Sequence, residues 1–262
     1  MKTRLDAELV RRGLARSREA AVELIENRKV LVTGIPASKA ATQVDAQTSI
    51  TLADEHAQFV SRGGHKLAGA LDEFSKIIVE GKTVLDAGAS TGGFTDVLLK
   101  RGAKKVVAVD VGYGQLAWPL QQDMRVKILD RVNVRNLTKA QVGEEIDLVV
   151  ADLSFISLKL VLPALILVAK SDADFLIMVK PQFEVGKEKL GAGGVVRDSH
   201  LRKAAVTEVA NAAHSLSLGC LGVVASSLPG PSGNVEYFLW LRKGAAALLE
   251  VDLDLAITKG PA

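Results

Sequence analysis

The stretch "KTVLDAGASTGGFTDVLLKRGAKKVVAVD", residues 82–110, decides the fold. A short apolar run ends at an acid, Asp86, and four of the next seven residues are Gly or Ser. A helical pattern follows, and then a second apolar run ending at Asp110. That order predicts a strand, a glycine turn, a helix and a second strand. A dinucleotide turn needs G-x-G-x-x-G, whose middle glycine lets the backbone approach a pyrophosphate. Here the string is Gly88-Ala89-Ser90-Thr91-Gly92-Gly93, and the middle glycine is missing. A P-loop needs a lysine after its last glycine, and none follows. Instead an acid stands directly before the turn. A carboxylate there repels a phosphate and attracts an ammonium group. S-adenosylmethionine carries an amino group, a cationic sulfonium and no phosphate, so the stretch favours it over NAD. Asp110 is placed to accept hydrogen bonds from ribose hydroxyls and serves either cofactor.

Outward from that unit, the second part of the chain alternates. Strand candidates are 83–86, 106–110, 146–151, 175–179, 220–226 and 236–241, with helical patterns at 93–101, 157–169 and 199–215. Alternation of this kind implies a mostly parallel, Rossmann-like sheet covered by helices. The last two strands are joined by "SLPGPSGNV", too short for a crossover helix, so that pair is expected to be antiparallel. A parallel sheet with an antiparallel last strand resembles the class I methyltransferase sheet.

Composition sets the outer limits. The chain has 262 residues, is 48% hydrophobic and contains one cysteine, Cys220. One cysteine excludes an internal disulfide framework and a cysteine-rich zinc site. No basic segment followed by an apolar run opens the chain, and the apolar run "LVLPALILVA" is too short to span a bilayer. A soluble cytoplasmic protein is expected, against a pore-forming alternative. The net charge of +3 is unevenly placed: residues 1–66 hold 11 Lys and Arg against 8 Asp and Glu, which is the entire excess. Such asymmetry suggests a basic module that touches nucleic acid.

In that module, "RLDAELVRRGLARSREAAVELIENRKVLVTG", residues 4–34, Leu5, Leu9 and Val10 have helical spacing and Gly13 ends the helix. Ser17 is placed to cap a second helix with Ala21, Leu24 and Ile25 on its inner face. "KVLVTG" and "TSITL" read as short strands. The stretch resembles the S4 RNA-binding domain through Arg4-Leu5-Asp6, Ser17-Arg18 and the Val30-to-Gly34 strand turn, with Thr33 where that family usually has Asn. The resemblance implies an α+β module that binds structured RNA, with Arg4, Arg11, Arg12, Arg16 and Arg18 as phosphate contacts.

Four charges then form a constellation. Lys66 lies in "SRGGHKL" before the sheet, Asp152 ends one strand candidate, Lys180 ends another and Glu236 opens the last. In an open α/β sheet the carboxyl ends of the strands share one rim, where ligands bind. The order Lys, Asp, Lys, Glu resembles the FtsJ-type RNA 2′-O-methyltransferases. With the S4-like module and the strings "FVSRGGHKL", "VAVDVGYGQL", "ADLSFISL" and "VKPQFE", the chain resembles the TlyA family, often labelled hemolysin, over roughly residues 3–243.

That resemblance implies a division into an S4-like domain (1–56), a linker (57–62) and a methyltransferase domain (63–262). It implies S-adenosylmethionine-dependent 2′-O-methylation of cytidine in ribosomal RNA of the small or large subunit. Cofactor contacts are implied for Asp86, Gly88, Ser90, Gly92, Asp110, Asn133 and Asp152, and a catalytic group of Lys66, Asp152, Lys180 and Glu236. Lys180 is expected to face the acceptor hydroxyl, with Lys66 tuning it. The linker departs from some relatives, which have a tryptophan in an Arg-x-Trp-Val string; here it reads Ala57-Gln58-Phe59-Val60.

Overall fold

The structure is a computed structural model that describes residues 2–52 and 58–260. Ala57 of the linker lies outside the described residues. The chain begins with β1 (Thr3–Arg4), α1 (Leu5–Arg11), α2 (Arg18–Glu26), β2 (Val30–Val32), β3 (Ile35–Pro36), β4 (Gln43–Val44) and β5 (Ile50–Leu52). Leu5, Leu9, Ala21, Ile25, Val30, Val44 and Ile50 bury together in a small core of their own. Ser17 caps α2 by accepting from the Ala20 N–H at 3.2 Å, as its position predicts. β2 pairs antiparallel with both β3 and β5.

The larger part continues with α3 (Arg62–Glu73), β6 (Thr83–Ala87), α4 (Gly93–Lys100), β7 (Lys105–Val109), α5 (Trp118–Gln121), β8 (Val126–Leu129), α6 (Lys139–Val142) and β9 (Ile146–Ala151). It ends with α7 (Leu162–Val168), β10 (Ala169–Val179), α8 (Ser199–Ser215), β11 (Leu218–Ala225), β12 (Tyr237–Lys243) and α9 (Glu250–Lys259). Seven strands form one sheet in the order β11-β12-β10-β9-β6-β7-β8. β12 runs antiparallel to both its neighbours, and the other pairs are parallel.

Both faces of the sheet are buried, which is why its strands read as near-continuous apolar runs. In β10, Phe175, Ile177 and Val179 enter one core while Leu176 and Met178 enter the other. In β9, Val149 and Ala151 alternate in the same way with Leu148 and Val150.

Parts of the sheet and its covering helices depart from the sequence expectation. β8 has no counterpart among the strand candidates: it is a four-residue edge strand interrupted by Lys127, so it gives no apolar run. β10 starts at Ala169 rather than 175, because "AKSDAD" is polar and irregular where the register shifts. The single helix expected over 157–169 is a 3-10 turn, Leu158–Leu160, followed by α7, which has Pro163 in its first turn. Among the described residues, no helix is long and apolar enough to cross a membrane.

The topology places a site. The chain leaves β6 for β7 and β8, then returns to the other side of β6 as β9. The rim between β6 and β9 is therefore the switch point where open α/β sheets bind ligands.

Candidate active site

At that switch point the loops after β6 and β9 touch. A Cβ on Gly88 would lie 2.4 Å from the Asp152 carbonyl oxygen, and Gly88 also adopts φ +88°, so no other residue fits there. Gly92 caps α4 at φ +95°, and a Cβ on it would meet Leu120 at 2.3 Å. Ser90, at φ +47°, turns the chain so that its N–H donates to Asp110 Oδ2 at 2.8 Å. Asp110 Oδ1 accepts from the Gly112 N–H at 2.7 Å. The turn and the end of β7 are thus tied by one carboxylate.

Asp86 lies beneath the turn, fully buried. Its Oδ2 accepts from Thr95 Oγ1 at 2.7 Å, while Oδ1 is sealed from solvent and has no partner. Burial, aided by the nearby Asp152 charge and opposed by the Thr95 hydrogen bond, pushes its carboxyl up to about 7. An unmatched buried carboxylate wants a cation. No lysine or arginine of the turn supplies one, so this unpartnered acceptor fits an ammonium-bearing ligand and not a phosphate.

The four charges of the constellation form two ion pairs. Lys66, on α3, donates from Nζ to Glu236 Oε2 at 2.6 Å, and both side chains are nearly sealed, at 7% and 1% exposed. Lys180 follows β10 and pairs with Asp152, which follows β9. Lys180 also donates to Ser154 Oγ at 3.0 Å.

Two cavities meet at this group. A small one of about 180 Å³ is lined by Ser61, Lys66, the turn Gly88–Thr91, Asp152 and Lys180. A larger one of about 870 Å³ is lined by Ser154, Phe155, Lys180, Gln182, Phe183 and Glu236, among others. Lys180 belongs to both. Asn133 sits apart, exposed, on the rim after β8, where its side-chain oxygen caps a 3-10 turn by accepting from the Arg135 N–H at 3.0 Å.

Several groups at the site escaped sequence reading. Thr95 occupies an ordinary helix position until the fold sets it against Asp86. Phe155 is 91% exposed at φ +63°, with its ring 5.0 Å from that of Phe183. Glu184 accepts from Ser157 Oγ at 2.6 Å and from the Leu158 N–H at 2.8 Å, strapping the loop after β9 to the segment after β10. Only the "ADLSFISL" and "VKPQFE" strings flagged these segments, without the roles of individual residues.

The arginines of the N-terminal module divide. Arg4 and Arg18 pair with Asp6, and Arg11 pairs with Glu8, yet all three stay about half exposed. Arg12 is enclosed: it pairs with Glu8 and donates to the carbonyls of Thr48 at 2.8 Å and Asp45 at 2.9 Å. Arg16 is exposed and, among the described residues, makes no ion pair.

A mostly parallel sheet, an acid-led glycine turn without phosphate-binding features, and a basic N-terminal module define a methyltransferase fused to an RNA-binding domain. Residues 59–243 match the model of the FtsJ-like methyltransferases, and residues 3–50 match that of the S4 domain. The chain is 58% identical, over 99% of both lengths, to the 16S/23S rRNA (cytidine-2′-O)-methyltransferase TlyA of Mycobacterium tuberculosis. It is 33% identical to the 23S rRNA (cytidine-2′-O)-methyltransferase TlyA of Campylobacter jejuni, over 87% of this chain and 94% of that one. A solved structure described as a candidate hemolysin from Streptococcus thermophilus superposes with a TM-score of 0.77 at 35% identity, covering 98% of this chain and 95% of that one. The chain belongs to the TlyA family of FtsJ-like methyltransferases.

Proposed function

We propose that this protein transfers a methyl group from S-adenosylmethionine to the ribose 2′-hydroxyl of a cytidine in ribosomal RNA, acting in the cytoplasm. The observation that carries the mechanism is the position of Lys180, which lines both cavities where they meet. The small cavity suits one end of a cofactor, since it is below the roughly 300–1,000 Å³ of a drug-sized pocket. The large one suits a nucleotide.

The cofactor, when bound, supplies an electrophilic methyl group on a cationic sulfur. Asp86 and the turn Gly88–Gly92 would hold its amino-acid end, and Asp110, with Asn133 beyond it on the rim, its ribose. Asp152 would be shared between cofactor and acceptor. Lys180 orients the acceptor hydroxyl in line with the methyl group, which is chiefly a positioning task. The hydroxyl proton leaves towards the Lys180–Asp152 pair. Lys66 and Glu236 neutralise each other behind this group and hold the site's wall. Residues 1–56 would bind RNA through Arg4, Arg11, Arg16 and Arg18, with 57–62 as linker and 63–262 as the catalytic domain. Arg12 is better explained as an internal tie of the module.

The test is single-turnover methyl transfer to ribosomal subunits at saturating cofactor. Lys180→Ala is expected to lower the rate by several powers of ten while cofactor affinity is largely kept. Lys180→Arg should also fail, because its larger guanidinium fork cannot occupy the ammonium's place or lose its proton. A near-normal rate in Lys180→Ala would sink the assignment.

A further inference from the structure

We propose that Asn234 is a positioning residue for the acceptor: it fastens the bare glycine wall of the larger cavity, and so governs how tightly RNA is held without acting on the cofactor. This rests on the ribose-methylation reading above, in which the cavity of about 870 Å³ takes the acceptor nucleotide.

Part of that cavity's lining is Gly193 and Gly194, in the segment between β10 and α8. Both adopt φ +73°, and a Cβ on either would meet nothing within 4 Å. Glycine suits the left-handed backbone, but it leaves this wall with no side chain to pack it in place. Two hydrogen bonds shape the segment from within. The Gly194 N–H donates to the Gly191 carbonyl at 3.0 Å, and the Gly191 N–H to the Val195 carbonyl at 3.2 Å. Neither attaches it to the rest of the domain.

Asn234 does. Its side chain is buried, with the residue 3% exposed. Oδ1 accepts from the Val196 N–H at 2.9 Å, and Nδ2 donates to the Gly194 carbonyl at 3.1 Å. The two partners fix the orientation of the amide, because a backbone N–H demands the oxygen and a carbonyl demands the nitrogen. Among the described residues, no other side chain hydrogen-bonds to residues 191–196. The main chain of Asn234 holds a second wall. Its carbonyl accepts from the Gly230 N–H at 2.8 Å, and a Cβ on Gly230 would stand 2.7 Å from Glu236 Oε1. Pro231, next in that turn, lines both cavities. One buried residue thus joins the glycine wall to the turn beside Glu236.

The energetic consequence is directional. A wall already fastened costs little ordering when a nucleotide binds against it, whereas a loosened wall must be ordered at the expense of affinity. Neither Asn234 nor the glycine wall lines the small cavity assigned to the cofactor. Lys180 is held by Asp152 and Ser154 instead. Loosening the wall should therefore raise the KM for RNA more than it lowers kcat, and leave cofactor affinity alone.

The experiment measures kcat and KM for ribosomal RNA, and cofactor affinity by calorimetry, in wild type, Asn234→Asp, Asn234→Ala and Gly194→Ala. Asn234→Asp keeps the acceptor for the Val196 N–H but faces the Gly194 carbonyl with an oxygen. Its KM for RNA should rise on the order of tenfold. Asn234→Ala loses both bonds, so its KM should rise at least as far. Gly194→Ala leaves Asn234 untouched and meets no neighbour, yet its backbone is strained at φ +73°, so it should raise KM as well. Cofactor affinity should be unchanged in all three, which also shows that each is folded. If Asn234→Asp does not fold, Gly194→Ala decides by the same readings. An unchanged KM, with wild type active, would overturn the role of Asn234 alone, whatever the melting temperature does. Cofactor affinity that falls in step with the rise in KM would overturn it too, since the residue would then support the whole rim. Wild-type protein that does not methylate ribosomal RNA would overturn the underlying reading and this inference with it.

Discussion

Asp86 is a fully buried acid with one carboxylate oxygen left without a partner. An unfolded aspartate titrates near 3.9, roughly three units below the folded value of about 7. The folded chain therefore holds a proton that the unfolded chain has already released. As pH rises from about 4 through about 7, the cofactor-free protein should lose stability, by up to several kcal/mol. Cofactor affinity should move the other way, because only ionised Asp86 attracts an ammonium group. Thermal melting across that range, with and without S-adenosylmethionine, checks both signs. Asp86→Asn should flatten both dependences, and an unchanged slope in that variant would remove Asp86 from the site. Asp86 was legible in the sequence because a strand, an acid and a glycine turn are contiguous. Thr95, which accounts for one of its two oxygens, was not, because a threonine inside a helix carries no mark of what it will face. Burial pushes the Cys220 thiol up to about 11, which keeps it protonated at neutral pH.

At the scale of elements, the rim is made of loops that must be fixed relative to one another. The segment after β9 carries Asp152, Ser154 and Phe155, and the segment after β10 carries Lys180 and Gln182. Glu184 joins the two with both carboxylate oxygens, and burial raises its carboxyl above the usual range despite the Ser157 and Leu158 hydrogen bonds. A buried hydrogen bond to a charged group contributes about 1.5–3 kcal/mol. Glu184→Ala should therefore release the Ser154–Phe155 loop and lower methyl transfer, on the order of tenfold to a hundredfold, with the sheet intact. Glu184→Gln should recover part of this, since its amide oxygen still accepts from one N–H or hydroxyl. Hydrogen exchange at Leu158, read beside the transfer rate, decides the matter: slow exchange at Leu158 in Glu184→Ala would show that the strap is dispensable. The strands themselves were legible where both faces are buried, as in β6 and β9. They were hidden where the chain runs along an edge or a bulge, as in β8 and the first half of β10.

For the whole molecule, the basic excess of the sequence proves unequal in kind. Arg12 spends its guanidinium on Glu8 and on the carbonyls of the 45–48 turn, so it closes the small N-terminal core. Charge counting could not separate it from its neighbours, because the separation depends on where the 45–48 turn folds back. Arg4, Arg11, Arg16 and Arg18 keep exposed guanidinium groups, and Arg16 carries its charge unshared among the described residues. Two kinds of variant follow. Arg12→Ala should destabilise the module by about 1–3 kcal/mol, since two part-buried carbonyls and the Glu8 carboxylate lose their donor. Arg16→Ala, on an exposed face, should leave melting unchanged within about 0.5 kcal/mol. Its effect should appear in RNA binding instead. An arginine that no longer neutralises a phosphate displaces about one counterion fewer, so the slope of log affinity against log salt should become shallower by about 0.7–0.9 per arginine. Replacing Arg16 and Arg18 together should roughly double that change, while the isolated transfer step at saturating RNA stays near normal. Filter binding of ribosomal RNA over a range of salt gives the slopes directly. Unaltered slopes in the double variant would mean that this face does not meet the phosphates, and that the RNA is held by the catalytic rim.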